Sequence, residues 1–84
     1  MESARLRVAV LASGSKGNAA LIEFGDTSIL LDCGLGVAQL KKRLSLIGRS
    51  PTDITAMLVT HEHGEHCAGA AAVSSRFGLP VWMT

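Results

Sequence analysis

The chain has 84 residues, of which 48% are hydrophobic and 18% are charged, and its formal net charge is +1. This length allows one small domain at most, and the weak charge excludes a strong field that steers the chain to nucleic acid or anionic lipid. No apolar run approaches the roughly 18 residues of a membrane span. Residues 8–12 are too few for the apolar part of a signal peptide. We therefore expect a soluble, cytoplasmic chain with no membrane partner.

The first third of the chain predicts three strands. Three short apolar segments are bounded by turn residues. The turn at 13–18 reads Ser-Gly-Ser-Lys-Gly-Asn, and Gly25-Asp26 forms a hairpin-like turn. The third strand ends at Asp32-Cys33-Gly34. The predicted strands are Leu6–Ala12, Ala19–Phe24 and Thr27–Leu31.

The period then changes to that of a helix over residues 37–47. Apolar residues recur on one helical face, and Gly48 is a good residue to end the helix. The basic cluster at 41–43 is opposite that face, so we interpret it as the solvated side of the helix in preference to a dedicated phosphate site. The predicted apolar face consists of Val37, Leu40, Leu44 and Ile47.

The remaining segments predict a further alternation of strands and a helix. Residues 50–53 are a break, Ala56–Val59 is a buried strand, 67–77 is a helix, and a last strand starts at Pro80. The order is β-β-β-α-β-α-β. The last element is interrupted at Thr84, so we expect a single partial domain that is truncated at its C-terminus.

All three histidines lie within residues 61–66, which read His-Glu-His-Gly-Glu-His directly after Thr60. We call this segment the histidine run. Imidazole is the commonest protein ligand for zinc and its neighbours. In an extended loop His61 and His63 project to the same side and reach one metal. Glu65 and His66 point differently and suit a second metal, since two metals about 3.5–4 Å apart share a bridging water.

Other metal motifs fail on spacing. A zincin needs His-Glu-x-x-His on a helix, but the residue four after His61 is Glu65. A zinc finger needs paired cysteines, whereas Cys33 and Cys67 are 34 positions apart. A surface loop that is merely rich in His and Glu is the competing interpretation, and the position directly after a buried strand disfavours it.

Four segments resemble the metallo-β-lactamase superfamily in the same order along the chain. Residues 60–66 resemble its His-x-His-x-Asp-His signature, and the segments at 13–18, 30–34 and 77–81 also agree. The turn at 13–18 is similar to that of the YycJ/WalJ-like branch, whose members are regarded as DNA exonucleases or phosphodiesterases. The resemblance implies an α+β fold, the N-terminal part of an αββα sandwich.

The resemblance also implies roles for individual residues. His61 and His63 would ligate one zinc ion, and Glu65 and His66 a second, with Mn²⁺ or Fe as alternatives. Asp32 would lie behind the loop and accept a hydrogen bond that orients a ligand or the loop backbone. The alternative for Asp32 is a turn-forming residue before Gly34.

Two departures from the family pattern bear on activity. Glu65 stands where the family has Asp, and its extra methylene displaces the carboxylate by more than metal–ligand distances tolerate. Either the loop adjusts to the longer side chain or the second metal site weakens. In the family this Asp also positions the attacking hydroxide, so we expect the change at Glu65 to lower activity even with metal bound. The family takes further His and Asp ligands from downstream, and residues 67–84 contain no His, Asp or Glu.

We therefore predict that the parent protein hydrolyses phosphodiesters of nucleic acid through a metal-bridging hydroxide, and that this chain alone is inactive. Thioester, lactone or β-lactam hydrolysis is the alternative within the superfamily. A different class of hypothesis is a small metal-binding or interaction module that completes its site with a partner chain, a homo-oligomer included.

Overall fold

The computed structural model describes residues 5–14, 17–60 and 69–83. It confirms the predicted α+β fold and the order of strands and helices, with a short 3₁₀ turn at Pro51–Asp53 where a break is predicted. The second helix begins at Ala70, three residues after the predicted start. The elements are β1 (Leu6–Ala12), β2 (Ala19–Phe24), β3 (Thr27–Leu31), α1 (Val37–Ser45), β4 (Ala56–Val59), α2 (Ala70–Phe77) and β5 (Val81–Met83).

The five strands form one mixed sheet in the order β1-β2-β3-β4-β5. The first three pair antiparallel through short turns, whereas β4 and β5 add in parallel after the helical crossovers. Strands β1, β3, β4 and β5 therefore all point the same way. Their carboxyl ends meet at one edge of the sheet, together with the start of β2.

The helices cover one face of the sheet. Leu21, Leu30 and Met57 are register neighbours on β2, β3 and β4, and none is more than 1% exposed. Leu40 and Leu44 of α1 belong to the same buried cluster. They lie four residues apart and so on one side of the helix. Each such side chain contributes about 1.5–3 kcal/mol through burial, so this layer is the core of the domain.

The opposite face of the sheet is apolar, half-buried in its middle and exposed towards its edges. One row of register neighbours crosses all five strands, and its two ends, Val10 and Trp82, are 69% and 68% exposed. Leu6, Val8 and Phe24 are also more than half exposed. A contiguous apolar patch of this kind is typical of an interface. The row consists of Val10, Ala20, Leu31, Leu58 and Trp82.

Helix α1 ends earlier than the sequence pattern predicts. Its regular part stops at Ser45, after which Ile47 donates to the carbonyl of Leu44 and Arg49 donates to that same carbonyl. Gly48 has a φ of 71° and closes this Schellman motif. The tightened turn moves Ile47 away from the buried face of the helix, and 39% of the residue is exposed. The prediction that Ile47 lies on the buried apolar face is therefore wrong. None of the helices in the described part of the chain is long and apolar enough to span a bilayer.

An ion pair ties the segment after α1 to β2. Arg49 Nε donates to Glu23 Oε2 over 2.7 Å and Nη2 donates to Oε1 over 3.2 Å, which is a two-pronged contact. Ser28 Oγ donates to the same carboxylate over 3.3 Å. The hydrogen bond from Arg49 lowers the pKa of Glu23 below its usual value of 4.5, against a smaller opposing effect of burial.

We expect Glu23→Gln to remove a pH-dependent part of the stability. Because the pKa of Glu23 is lower in the folded chain, its contribution is complete above pH 4.5 and is lost as the pH falls through the folded pKa. The difference in free energy of unfolding between wild type and variant, measured by urea titration with circular dichroism, should shrink from pH 7 towards pH 3. In an Arg49→Gln background the same substitution should have a smaller effect. A difference that does not vary with pH contradicts this assignment.

Candidate metal centre

The described residues that follow β1 and β3, together with Thr60 after β4, lie at the carboxyl edge of the sheet. They are residues 13–14, 17–18, 32–36 and Thr60, and Gly69 is the next described residue after Thr60. In the sequence the histidine run follows Thr60 directly. His61, His63, Glu65 and His66 lie outside the described residues, so their placement and roles stay predictions. We call the described residues on this edge, with Gly69, the framework.

Asp32 joins the end of β3 to the end of β4. Its carboxylate accepts the backbone N–H of Thr60 over 2.7 Å and the Thr60 hydroxyl over 2.9 and 3.0 Å. Its own N–H donates to the carbonyl of Leu58 over 2.7 Å. The side chain is buried, with 7% of the residue exposed. A buried carboxylate is costly unless it is hydrogen-bonded, and here both of its oxygens accept.

The backbone of Asp32 is left-handed, with a φ of 59°, the only positive value for a non-glycine residue in the described part of the chain. A left-handed backbone costs most residues about 1–2 kcal/mol, and Asp and Asn tolerate it best. This conformation turns the chain at the end of β3 while the carboxylate faces Thr60. The turn-forming and the hydrogen-bonding interpretations of Asp32 therefore describe one and the same arrangement.

Gly69 fastens the other border of the undescribed segment. Its N–H donates to the carbonyl of Cys33 over 2.9 Å. A Cβ at this position would overlap the carbonyl oxygen of Leu35, so only glycine permits the approach. Thr60 and Gly69, the residues on either side of 61–68, are thus both bound to the turn at 32–36.

The described residues Gly14, Gly17 and Asn18 also belong to this framework. Asn18 accepts the N–H of Gly14 on its side chain and the N–H of Gly34 on its carbonyl, both over 3.0 Å. Gly17 has a φ of 149°, and a Cβ there would lie 3.0 Å from the Gly34 carbonyl oxygen. These contacts give Asn18 and Gly17 a structural role beside the turn at 32–36.

Cys33 lies inside this framework and is fully buried. Its Sγ donates to the carbonyl of Leu35 over 3.3 Å. Burial raises the pKa of the Cys33 thiol, which keeps the thiol protonated near neutral pH and makes Cys33 a small packing residue. Cys67 lies outside the described residues.

The described residues supply the framework of the site and not its metal ligands. Across residues 5–14, 17–60 and 69–83, no group of three or more His, Cys, Asp and Glu side chains is arranged to hold a metal ion. Of the predicted site residues the structure describes Asp32 alone. Sequence reasoning missed Gly69, since only the tertiary contact with Leu35 distinguishes it from other glycines near helix starts.

A helix-covered mixed sheet with a histidine run after a central strand is the architecture of the N-terminal part of a metallo-β-lactamase domain. Residues 12–84 match the metallo-β-lactamase superfamily, and the chain belongs to that superfamily. It is 33% identical over 82 residues to exodeoxyribonuclease WalJ of Streptococcus pneumoniae. The matched region covers 98% of this chain and 30% of that protein.

Two further relatives agree. Exodeoxyribonuclease YycJ of Bacillus anthracis is 32% identical over 77 residues, covering 92% of this chain and 29% of that protein. The solved structure of a B3 metallo-β-lactamase with an active-site glutamic acid superimposes with a TM-score of 0.69 at 28% identity, covering 88% of this chain and 28% of the other. The chain thus spans about 30% of the length of the curated relatives it matches.

Asp32→Ala should destabilise the chain by about 2–4 kcal/mol, because it removes hydrogen bonds to a charged acceptor and puts alanine into a left-handed backbone. Asp32→Asn keeps one acceptor and the tolerated backbone, so it should cost less. Asp32→Gly isolates the backbone part and should be about 1 kcal/mol more stable than Asp32→Ala. Urea unfolding at neutral pH measures all three. Equal losses for Asn and Ala would contradict the role of the carboxylate.

Gly69→Ala should cost about 3 kcal/mol or more, because the new methyl overlaps the Leu35 carbonyl and the backbone must shift. Gly36→Ala is the matched control, since a Cβ there meets nothing within 4 Å. Thermal unfolding of the two variants should separate them clearly. If Gly69→Ala unfolds at the same temperature as Gly36→Ala, the close approach of Gly69 to the Leu35 carbonyl is absent in solution.

Proposed function

We propose that this chain forms the N-terminal, metal-binding part of a phosphodiester hydrolase that acts on nucleic acid in the cytoplasm. The observation that carries the proposal is the contact between Asp32 and Thr60. A buried carboxylate orients the residue that directly precedes the histidine run, which is the relation that a ligand loop requires. The relatives named as exodeoxyribonucleases favour phosphodiesters over the other substrates of the superfamily.

The donor set of the histidine run suits zinc. Three imidazoles and a carboxylate within six residues are nitrogen and oxygen ligands of the kind that zinc prefers. His61 and His63 would hold one ion, Glu65 and His66 a second. A bound zinc ion lowers the pKa of water towards about 7 and so supplies a nucleophile at neutral pH. Asp32 and Thr60 hold the start of the ligand segment, and the contact of Gly69 with Leu35 holds its end.

The chain alone is proposed to bind metal weakly and to lack turnover. Residues 67–84 offer no further His, Asp or Glu, so each metal would keep open coordination positions. The exposed apolar face of the sheet supports the same conclusion. A sheet with helices on one face buries its other apolar face against a further layer, and residues 5–14, 17–60 and 69–83 do not supply that layer.

A second candidate, an interaction module, is favoured by that same apolar face. A partner chain that packs on Val8, Val10 and Trp82 would cover it and complete the metal site. A concentration-dependent mass in analytical ultracentrifugation, with and without zinc, distinguishes self-association from the fragment proposal.

A segment exchange tests the proposed function. Residues 1–84 replace the matching part of the Streptococcus pneumoniae exodeoxyribonuclease, and hydrolysis of a labelled DNA strand is followed with added zinc or manganese. We expect activity that falls about 100-fold or more in His63→Ala, because a metal ligand is lost, and rises about tenfold in Glu65→Asp, because the shorter carboxylate fits the second site. Ser75→Ala, on the exposed side of α2, is the control.

The unfused chain provides an independent measurement. Competition with a chromophoric chelator should show zinc uptake that is lost in His61→Ala and His63→Ala and kept in Ser75→Ala. A folded, zinc-loaded exchange protein that cleaves thioesters or β-lactams and not DNA contradicts the proposed substrate. Zinc uptake that is unchanged in both histidine variants contradicts the proposed ligands.

A further inference from the structure

A cleft of about 480 Å³ opens beside the framework of the candidate metal centre. It is lined by Val10, Leu11 and Ala12 at the end of β1, and by Ser13, Gly17, Leu35 and Arg43. Ligand sites have volumes of about 300–1,000 Å³, so the cleft is large enough for one nucleotide unit.

Leu35 connects the cleft to the framework beside the histidine run in the sequence. Leu35 lines the cleft, and its carbonyl abuts Gly69, which borders the undescribed segment. Gly17 lines the cleft and packs against Gly34. A chain molecule bound in this cleft would therefore continue along the carboxyl edge of the sheet, towards the end of β4.

Arg43 gives the cleft its charge. Of the described residues that line it, none is acidic and Arg43 is the sole charged one. An α-helix turns by about 100° per residue. With Leu40 and Leu44 buried, Arg43 and Lys41 therefore lie on opposite flanks of the buried side, and Lys42 points away from the sheet. The sequence suggests that the whole basic cluster at 41–43 is solvated. In the structure one of its residues, Arg43, lines the cleft.

The geometry points to this cleft as a binding site for the phosphate backbone of a single-stranded nucleic acid, with the Arg43 guanidinium as the phosphate contact. The inference rests on the proposed function, since it gives the strand a path next to the metal centre. A guanidinium presents paired N–H donors that match two phosphate oxygens. The hydroxyl of Ser13, which also lines the cleft, offers a shorter polar contact of the kind that positions a strand without reading its bases.

The test measures binding without metal or turnover. Fluorescence anisotropy of a labelled ten-nucleotide thymidine strand is followed with the 84-residue chain in EDTA, at salt concentrations from 50 to 200 mM. Arg43→Gln should weaken binding about fivefold and reduce the slope of log K against log salt by about 0.7, the value for one phosphate contact on a single strand. Arg43→Lys keeps the charge but loses the paired N–H donors, so its affinity should lie between those of the wild type and Arg43→Gln.

Lys41→Gln is the matched control, because it removes the same charge from the same helix on the flank away from the cleft. It should change affinity less than twofold. Equal effects of Lys41→Gln and Arg43→Gln, or no measurable binding of the strand by the wild-type chain, would overturn the inference. If binding in EDTA depends on Arg43 but the exchange protein is inactive, the cleft assignment holds and the proposed function is wrong. If the exchange protein is active but Arg43→Gln binds the strand as the wild type does, the proposed function holds and the cleft assignment is wrong.

Discussion

The hydrogen bonds between the Asp32 carboxylate and Thr60 are the constraint on which the site depends. They join the ends of two neighbouring parallel strands through a buried charge, and such a charge is stable only while its partners stay in place. The N–H of Gly69 donates to the carbonyl of Cys33, in the same turn as Asp32. The eight residues between Thr60 and Gly69 are therefore held at both borders by one short turn, whose own shape rests on the left-handed backbone of Asp32.

Much of the fold follows from local sequence pattern. Alternation of apolar residues with turn residues predicts β1 to β4 with their observed bounds, and Gly48 and Gly78 mark where the helices end. The local pattern misses two features. Ile47 leaves the buried face because the last turn of α1 tightens, and the pairing of Glu23 with Arg49 joins residues 26 positions apart, which no local pattern encodes.

The site divides in the same way. The residue types of the histidine run and Asp32 are visible in sequence because ligand chemistry restricts them to few amino acids. The framework is not visible, since Gly69 and Leu35 owe their importance to a close backbone approach. Arg43 differs from Lys41 and Lys42 only through the side of α1 on which it lies. Sequence thus indicates candidate ligand types directly, whereas the side of α1 on which Arg43 lies needs the fold.

The antiparallel pairing of β1, β2 and β3 has a consequence for the order of folding. These strands are joined by short turns, so their contacts close small loops, whereas β4 reaches β3 only after a crossover of more than twenty residues. Local contacts form sooner because less chain entropy is lost. We expect the turn at Asp32 to exist before Thr60 reaches it. Thr60 would then add its hydrogen bonds to strands that are already paired, and the border of the histidine run would be fixed late in folding.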